Sequence, residues 1–577
     1  VYSVPNQSGD FIWSMPRRDF DEVRKHDPMV MIASFLSPTK AMNQEERVKI
    51  LEAYFDARHK TQERLWRGED LSTTNIISNI RIWPQYRIAY TEKTITVTNH
   101  DNETRWASQQ EAIYTFHLPE GGVVSSLSLW INGVEEKGIL TTKSKADTAY
   151  KQIVGVESRD PSVVHWQEGN TVSVRVFPVI ANNNRIFKIG ITAPLTFDEG
   201  KLKYEPIFFD GPDATQAKEI VQVDWAQKPD KDLMKGFVDQ GNNKFILERK
   251  YDKDWQLSFS APPIAKDAFH YNGNSYHIAA YQPQRKSSTF DKVYLDINAS
   301  WDMEEFNAVL AIMKHHKVYV FDNELIHLNP QDNYTVLFER LQRKRFSLFP
   351  LQKIHNPSVS LLITKGTLMS PNIKDLKGTG FAKNMEQWLN KGAQLQVFNL
   401  SSTLSPYLKT LKEHRAFIYE HGNVEQLSSL ISKQEFATNL ESDDLIVIDN
   451  AGLVLSRSID TLQSNAPDHF YRLFAYNQLM HQFKNGIYSN READTILIAQ
   501  AQQAHIVTPI SSLIVLESVA DYQRFDIKAS ANSLDNASMK SKGAVPEPHE
   551  WALIIITFFI VIWLRWKNYI KKLPGKA

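Results

Sequence analysis

Seventeen histidines and 66 acidic residues stand in this 577-residue chain, so acid, base and ligand pairs are bound to occur somewhere. The adjacent ones are His315-His316, Glu413-His414 and Glu420-His421, and Ser511-Ser512 sets two hydroxyls side by side. Imidazole beside carboxylate can move protons, and a hydroxyl activated by such a pair is a hydrolase nucleophile. None of these pairs has a spacing that fixes a site: the sequence contains no HExxH, GxSxG, Walker loop or Rossmann fingerprint. A Ser/His/Asp set assembled from distant segments stays open, since its partners need not be sequence neighbours. By themselves the histidine pairs read as surface or strand-end residues and Ser511-Ser512 as turn chemistry. The chain has no cysteine, which removes disulfides, thiolate nucleophiles, Cys-ligated zinc and Cys-ligated iron–sulfur clusters. With 66 Lys+Arg against 66 Asp+Glu the formal charge is zero, and no general grip on nucleic acid is expected. The loop triplet Arg343-Lys344-Arg345 reads as a solvated cluster. No enzymatic activity is expected, with an envelope hydrolase kept as an alternative.

The elements that must carry these residues fall into several segments, and 577 residues suggest two to four domains. Residues 1–80 read as an N-terminal helical extension, with Val48, Ile50, Leu51, Ala53 and Tyr54 spaced along one apolar face. Val1 is not an initiator methionine, so the natural start is expected upstream or removed. From 81 to 265 the period becomes two, as in Thr94–Thr98, Ala112–Phe116, Leu127–Ile131 and Val172–Phe177, with turn formers such as Asn132-Gly133 between the runs. Such spacing predicts an antiparallel β-sandwich. From 270 to 428 short buried strands (Tyr276–Tyr281, Lys292–Ile297, Lys317–Phe321, Ser358–Ile363, Gln394–Phe398) alternate with helices, which predicts a mainly parallel α/β sheet. Residues 429–528 add the strand Leu445–Asn450, helices near His469–Phe483 and Arg491–Ala504, and the run from His505 to Glu517. Residues 529–545 are small and polar and read as a flexible linker.

At 546–577 stand Pro546-Glu547-Pro548, an uncharged run from Trp551 to Leu564, and Arg565, Lys567, Lys571 and Lys572. Fourteen helical residues span about 21 Å against roughly 30 Å of hydrocarbon. A terminal run apolar on every face and closed by cations still predicts a single membrane helix. Trp551 and Trp563 would sit at the two interfaces, and Arg565 and Lys567 would hold the tail in the cytoplasm. The bulk of the chain would then face outward.

Several stretches resemble known families. FHLPEGGVVSSLSLWINGVEEKGILTTKSKADTAYKQI, with Asp160-Pro161 before His165-Trp166 and the strand Val176-Phe177-Pro178, is similar to the VIT domain, the β-sandwich of vault proteins and inter-alpha-trypsin inhibitor heavy chains. The resemblance covers roughly 85–200 and implies a structural and interactive module whose Trp130, Trp166 and Phe177 are core side chains. Thr508-Pro509-Ile510-Ser511-Ser512 resembles the turn from which such proteins send a strand back to the sandwich.

Val293 to Ser300 resembles the opening strand and metal loop of a von Willebrand factor A domain, so a VIT sandwich followed by a von Willebrand A-like doubly wound α/β domain is the fold expected. The resemblance implies Asp296, Asn298 and Ser300 as oxygen donors to Mg²⁺ or Mn²⁺, hard cations that take such ligands. The pattern is degenerate, with Asn298 in place of a serine and Lys365 where a carboxylate is expected, and Lys365 could itself pair with Asp296. No bound metal is expected, and a divalent-metal-dependent adhesion receptor is the alternative. The order of Pro-Glu-Pro, apolar helix and basic end resembles the PEP-CTERM sorting signal read by exosortases, of the exosortase N type. The reading is a non-enzymatic bacterial cell-envelope protein, sorted at its C-terminus by an exosortase. It would present a surface for an envelope or extracellular protein ligand.

Overall fold

The structure, a computed structural model, describes residues 68–539 apart from 102–108, 158, 330–331, 345–347, 368–369, 378, 393, 460–465, 484–493 and 531. The helical pattern expected before residue 68, the Pro-Glu-Pro motif and the apolar C-terminal run with its tryptophans and cations lie outside these residues. Among the described residues no helix is long and apolar enough to cross a membrane.

Two sheets face each other. Sheet I has eight strands in the order Val238–Gly241, Lys244–Lys250, Lys218–Trp225, Leu71–Trp83, Ile88–Asn99, Asn184–Pro194, Val123–Ile131, Val134–Lys137. All its pairs are antiparallel except Leu71–Trp83 with Lys218–Trp225. Its first strand starts at Leu71, so the sandwich begins ten residues before the boundary expected at 81. Asn132 and Gly133, both with positive φ (52° and 80°), make the tight hairpin that an Asn-Gly pair permits. Sheet II has six strands: Phe209–Asp210, Gln110–His117, Thr171–Val179, Ser162–Gln167, Ser511–Val515, Ile139–Thr142. The fifth, from the far end of the chain, enters between two strands of the sandwich and pairs antiparallel with both. Tyr114 of sheet II meets Phe187 of sheet I with ring centroids 4.9 Å apart in the shared core.

A second unit is built on six strands in the order Glu324–Leu328, Lys317–Asp322, Lys292–Asp296, Ser360–Thr364, Gln396–Asn399, Ile418–His421, parallel but for the first. Its strands are apolar on both sides because helices cover both faces. Val293 and Leu295 pack with Phe306, Phe338 and Leu427 on one face, while Tyr294 packs with Met385, Trp388 and Tyr407 on the other. The strand at Tyr276, expected in this sheet, is not part of it. Asn274–Ala280 belongs instead to a four-stranded antiparallel sheet with Ala268–Tyr271, Leu453–Ser458 and Leu445–Ile448, whose apolar face continues the sandwich core.

Between these parts runs the helix His469–Phe483, 13 of whose 15 residues are buried. It lies on the outer face of sheet I, where His469 stacks on Tyr90 with centroids 4.7 Å apart and shares a 2.8 Å hydrogen bond with Thr192. Buried polar groups need partners, and Arg472, 1% exposed, finds them in Asp468 (2.6 Å) and the carbonyl oxygens of Ala504, His505 and Asp535 (3.0, 3.2 and 2.7 Å). The last of these corrects the sequence reading. Described residues 532–539, expected as flexible linker, form a strap across sheet I. Tyr90 donates to Ala537 O at 2.8 Å, Asn536 to Gly138 O at 3.0 Å and Arg81 to Met539 O at 3.2 Å; the Met539 amide donates to Glu92 at 3.0 Å. Backbone hydrogen bonds to a prepared surface, with Ala537 buried and Leu534 and Met539 packed on the core, do what the segment's composition cannot do alone. Gly190 makes room beneath, since a Cβ there would stand 2.2 Å from the Tyr90 hydroxyl.

A chain ending after Ser541 should therefore melt as the longer one does. One ending after Ser530 leaves a guanidinium N–H of Arg472 without its acceptor and the Tyr90 hydroxyl with only the longer 3.3 Å bond to Glu92, at roughly 1–3 kcal/mol for an unsatisfied group. Thermal melts of the two truncations check this, and equal melting temperatures would contradict it.

Candidate functional site

The six-stranded α/β sheet reverses its winding between Lys292–Asp296 and Ser360–Thr364, and a crevice at the carboxyl ends of such a pair is where open α/β sheets bind ligands. Asp296 and Thr364 end those two strands and are hydrogen-bonded at 2.9 Å, the Thr364 hydroxyl donating to Asp296 Oδ2. Asn298 and Ser300 stand in the same loop, so the three sequence-predicted metal ligands are brought together. Their donor atoms are nevertheless engaged. The Asn298 amide donates to Lys365 O at 2.9 Å, and its Oδ1 accepts the Ser300 N–H at 2.9 Å. The Ser300 hydroxyl donates to Gly366 O at 2.8 Å. Gly366 is itself confined, for a Cβ there would lie 1.9 Å from Thr403 O.

Lys365, which the sequence suggested could pair with Asp296, is held elsewhere: its ammonium lies 2.6 Å from both oxygens of Glu305. That glutamate also closes the capping box of the helix Met303–Ile312 with Asp302. With Asp296 the one carboxylate among the three and the Asn298 and Ser300 donors turned to the backbone, these residues do not fit a hard divalent cation. Among the described residues no group of three or more His, Asp or Glu could hold a metal. In the neighbouring cationic cluster Lys344 is paired with Asp322 at 3.1 Å, and its carbonyl accepts the Ala299 N–H at 2.9 Å.

A second set of polar residues lies where the α/β unit meets the sandwich. The turn after Ser162–Gln167 reaches into the α/β unit. There Glu168 accepts the backbone N–H groups of Ile373 and Lys374 at the start of a short 3-10 helix, and the Lys374 ammonium lies 5.7 Å from the Trp166 ring. Two residues along, Asn170, with its amide turned to donate, reaches both oxygens of Glu413 at 3.2 and 3.1 Å. Glu413 also accepts from the Tyr476 hydroxyl, which accepts from Trp166 Nε1 at 3.1 Å. Burial pushes the Glu413 carboxyl up to about 7 against the pull of these donors. Next to it Lys412 lies 2.7 Å from Glu120 of the sandwich, 3.1 Å from Asp449 and 3.9 Å from the centre of the Tyr419 ring. Burial alone would lower its pKa, but Asp449 and Glu120 outweigh it and keep the ammonium charged. His414, expected at the surface, is 4% exposed, and burial holds it down to about 4.

A third set is the distant Ser/His/Asp arrangement the sequence left open. Ser512, on the inserted strand, and His165 Nδ1 share a 2.7 Å hydrogen bond, and His165 Nε2 lies 2.9 Å from Asp147 on the helix Lys143–Gln152. Burial lowers the His165 pKa, and Asp147 only partly opposes this. The distances are those of a catalytic relay. Ser512, however, is 0% exposed under its strand neighbours, so its hydroxyl has no route to a substrate. The set fixes the register of the inserted strand. The sequence flags Glu413, His414 and Ser512, but not their partners, which stand from 63 (Tyr476 to Glu413) to 347 (His165 to Ser512) residues away.

Residues 79–191 match the Vault protein inter-alpha-trypsin domain, so this part of the chain is a VIT domain. No curated protein matches the chain. Among solved structures it is similar to yeast leukotriene A4 hydrolase in complex with bestatin, at 8% identity and a TM-score of 0.19 over 34% of this chain and 29% of that one. It is also similar to a putative nutrient binding protein from Legionella pneumophila, at 10% identity and 0.22 over 34% and 67%. An M1 zinc metallopeptidase from Deinococcus radiodurans is similar at 12% identity and 0.19 over 44% and 58%. The chain thus spans less than a third of the first of these, and likenesses this slight say nothing of function.

Two outcomes follow from the geometry. Millimolar Mg²⁺ or Mn²⁺ should leave the melting temperature unchanged; a rise that Asp296→Ala abolishes would show that the loop holds a cation. The second concerns Glu413. The folded chain keeps its proton to about 7, whereas the unfolded chain releases it near pH 4.3, so between these values the folded state binds more protons and this group's contribution falls as pH rises. Glu413→Gln should therefore gain stability relative to the parent as pH rises from about 4 to 7, and hold that gain above it, in paired denaturant titrations. A difference that stays flat with pH would contradict this.

Proposed function

We propose that the protein is a non-enzymatic, exported cell-envelope protein that presents its VIT domain and α/β unit as a binding or scaffold surface and is sorted at its C-terminus by an exosortase. The observation that carries this reading is the order of the C-terminal parts, Pro546-Glu547-Pro548, Trp551 to Leu564 and Arg565 to Lys572, placed directly after a body that includes a VIT domain. In this reading Trp551 and Trp563 sit at the two membrane interfaces, and Arg565 and Lys567 stay on the cytoplasmic side. The partners are the membrane, the processing enzyme and a protein ligand of the envelope or its exterior.

The α/β unit is read as von Willebrand A-like. Its strand order, with one antiparallel edge strand, helices on both faces and Asp296, Asn298 and Ser300 at the point where the winding reverses, supports that reading. Its loop then binds without a metal: the Asn298 and Ser300 donors are taken up by the backbone of Lys365, Ser300 and Gly366, and recognition falls to the surrounding loop surface rather than to a cation. A hydrolase is not favoured, because the relay-like set of Ser512, His165 and Asp147 found among the described residues is closed from solvent at Ser512.

The mass of the C-terminal peptide of protein taken from its native envelope tests this directly. The expected result is a chain ending near Pro546–Pro548, or one carrying a new mass there. A retained Lys571-Lys572 would make the run a permanent anchor and remove the sorting step. An intact tail in the soluble cytoplasmic fraction would overturn the envelope assignment altogether.

A further inference from the structure

The strap has a direction. Asn536 bonds beside Gly138, just after the edge strand of sheet I, Ala537 donates its N–H to Ser125 O and accepts from Tyr90, and Met539 bonds Glu92 and Arg81. In sheet order the strap runs from Val134–Lys137 and Val123–Ile131 over Asn184–Pro194 to Ile88–Asn99 and Leu71–Trp83. At Met539 the chain is travelling toward Lys218–Trp225 and Lys244–Lys250. The face ahead of it is the outer one, opposite the sandwich core: Asn79 pairs with Gln222 and Gln222 with Ile246, and all three side chains reach solvent. The other side of the sandwich is covered differently. Sheet II carries the helix Lys143–Gln152, and Tyr522 of the helix Val519–Arg524 and Ile527 just after it pack into the same cluster.

Residues 540–550 separate Met539 from the apolar run. Fully extended they reach at most about 40 Å, and as a flexible chain about 20 Å. A tether that short, fixed at one point of a rigid body, restricts which face can turn to the surface in which its other end is embedded. Charge does not choose the face here, because Lys218, Lys244 and Lys250 are interspersed with Asp224 and Glu248.

We propose that the strap orients the body on its membrane, turning the outer face of sheet I at Asn79, Gln222 and Ile246 toward phospholipid headgroups and the Val519–Arg524 side away from them. This rests on the reading of Trp551 to Leu564 as membrane-inserted. It places the presented surfaces of the α/β unit and of sheet II off the lipid, and it makes the tether, not ionic attraction, the source of orientation.

The absence of cysteine permits clean single-site labelling of the full chain. Gln222→Cys and Val519→Cys, both at exposed positions, would each carry a fluorophore, and each protein would be reconstituted into phosphatidylethanolamine/phosphatidylglycerol vesicles bearing a headgroup-attached quencher. The expected result is quenching at 222 at least about threefold that at 519, unchanged when salt is raised enough to screen surface charge. Inserting about 30 Gly/Ser residues after Lys542 should keep vesicle association and even out the two labels. Equal quenching at the two sites, or more at 519, in vesicle-bound protein overturns the proposal alone. Failure of the full chain to float with the vesicles overturns the membrane reading and the proposal with it.

Discussion

A helix buried along its whole length must find partners inside the protein for every polar side chain it carries, because water cannot supply them. The helix His469–Phe483 carries four such residues in its central turns, and each is answered by a different part of the chain. Arg472 is held by the chain after Ala504 and by the strap at Asp535. Tyr476 joins Trp166 of the VIT domain to Glu413 of the α/β unit. Asn477 donates to Gly121 O at 3.3 Å and accepts from Arg415 at 2.9 Å, again spanning the two units. Gln478 donates to Asp443 O at 2.9 Å. The desolvation cost of these groups is offset only when all the parts are in place, so the helix couples the assembly of the sandwich, the α/β unit and the C-terminal segment.

The same logic makes the VIT domain here more than a detachable module. One strand of its second sheet comes from Ser511–Val515, locked by His165 through Ser512. The outer face of its first sheet is covered by the buried helix and the strap. Residues 79–191 alone leave Tyr90 and Ile88 uncovered and leave Ser162–Gln167 and Ile139–Thr142 without the strand between them. The family boundary marks where the pattern of residues is shared, whereas the folding boundary lies where the apolar surface and the backbone hydrogen bonds are satisfied.

Local patterning made much of this legible. Period-two runs around Thr94 and Val172, the Asn132-Gly133 turn and the apolar strands at Val293, Leu361 and Gln396 all read correctly, because each depends on neighbours within a few residues. The helix His469–Phe483 was placed at its observed bounds, but its role was hidden. A helix buried on all sides has no amphipathic period to announce what it packs against. The strand at Tyr276 was assigned to the wrong sheet, since its apolar run does not say which partner it pairs with, and its partner lies at Leu453–Ser458. Residues 532–539 read as linker because small polar residues rarely bury enough surface to fold, and nothing local reveals that Tyr90, Glu92, Arg81 and Arg472 await them. At the candidate site Asp296, Asn298 and Ser300 were found by their loop. What disables them as ligands, the Ser300 hydroxyl turned to Gly366 O and Lys365 drawn to Glu305, is set by long-range geometry.

The central claim is that the sandwich is completed by the C-terminal third of the chain. Expressing residues 68–265 alone, then mixing them with residues 440–539, tests it most directly by thermal or denaturant unfolding. The first fragment should show no cooperative transition by itself and should gain one on mixing. A cooperative transition of residues 68–265 alone, within about 5 °C of the full chain's, would contradict the account.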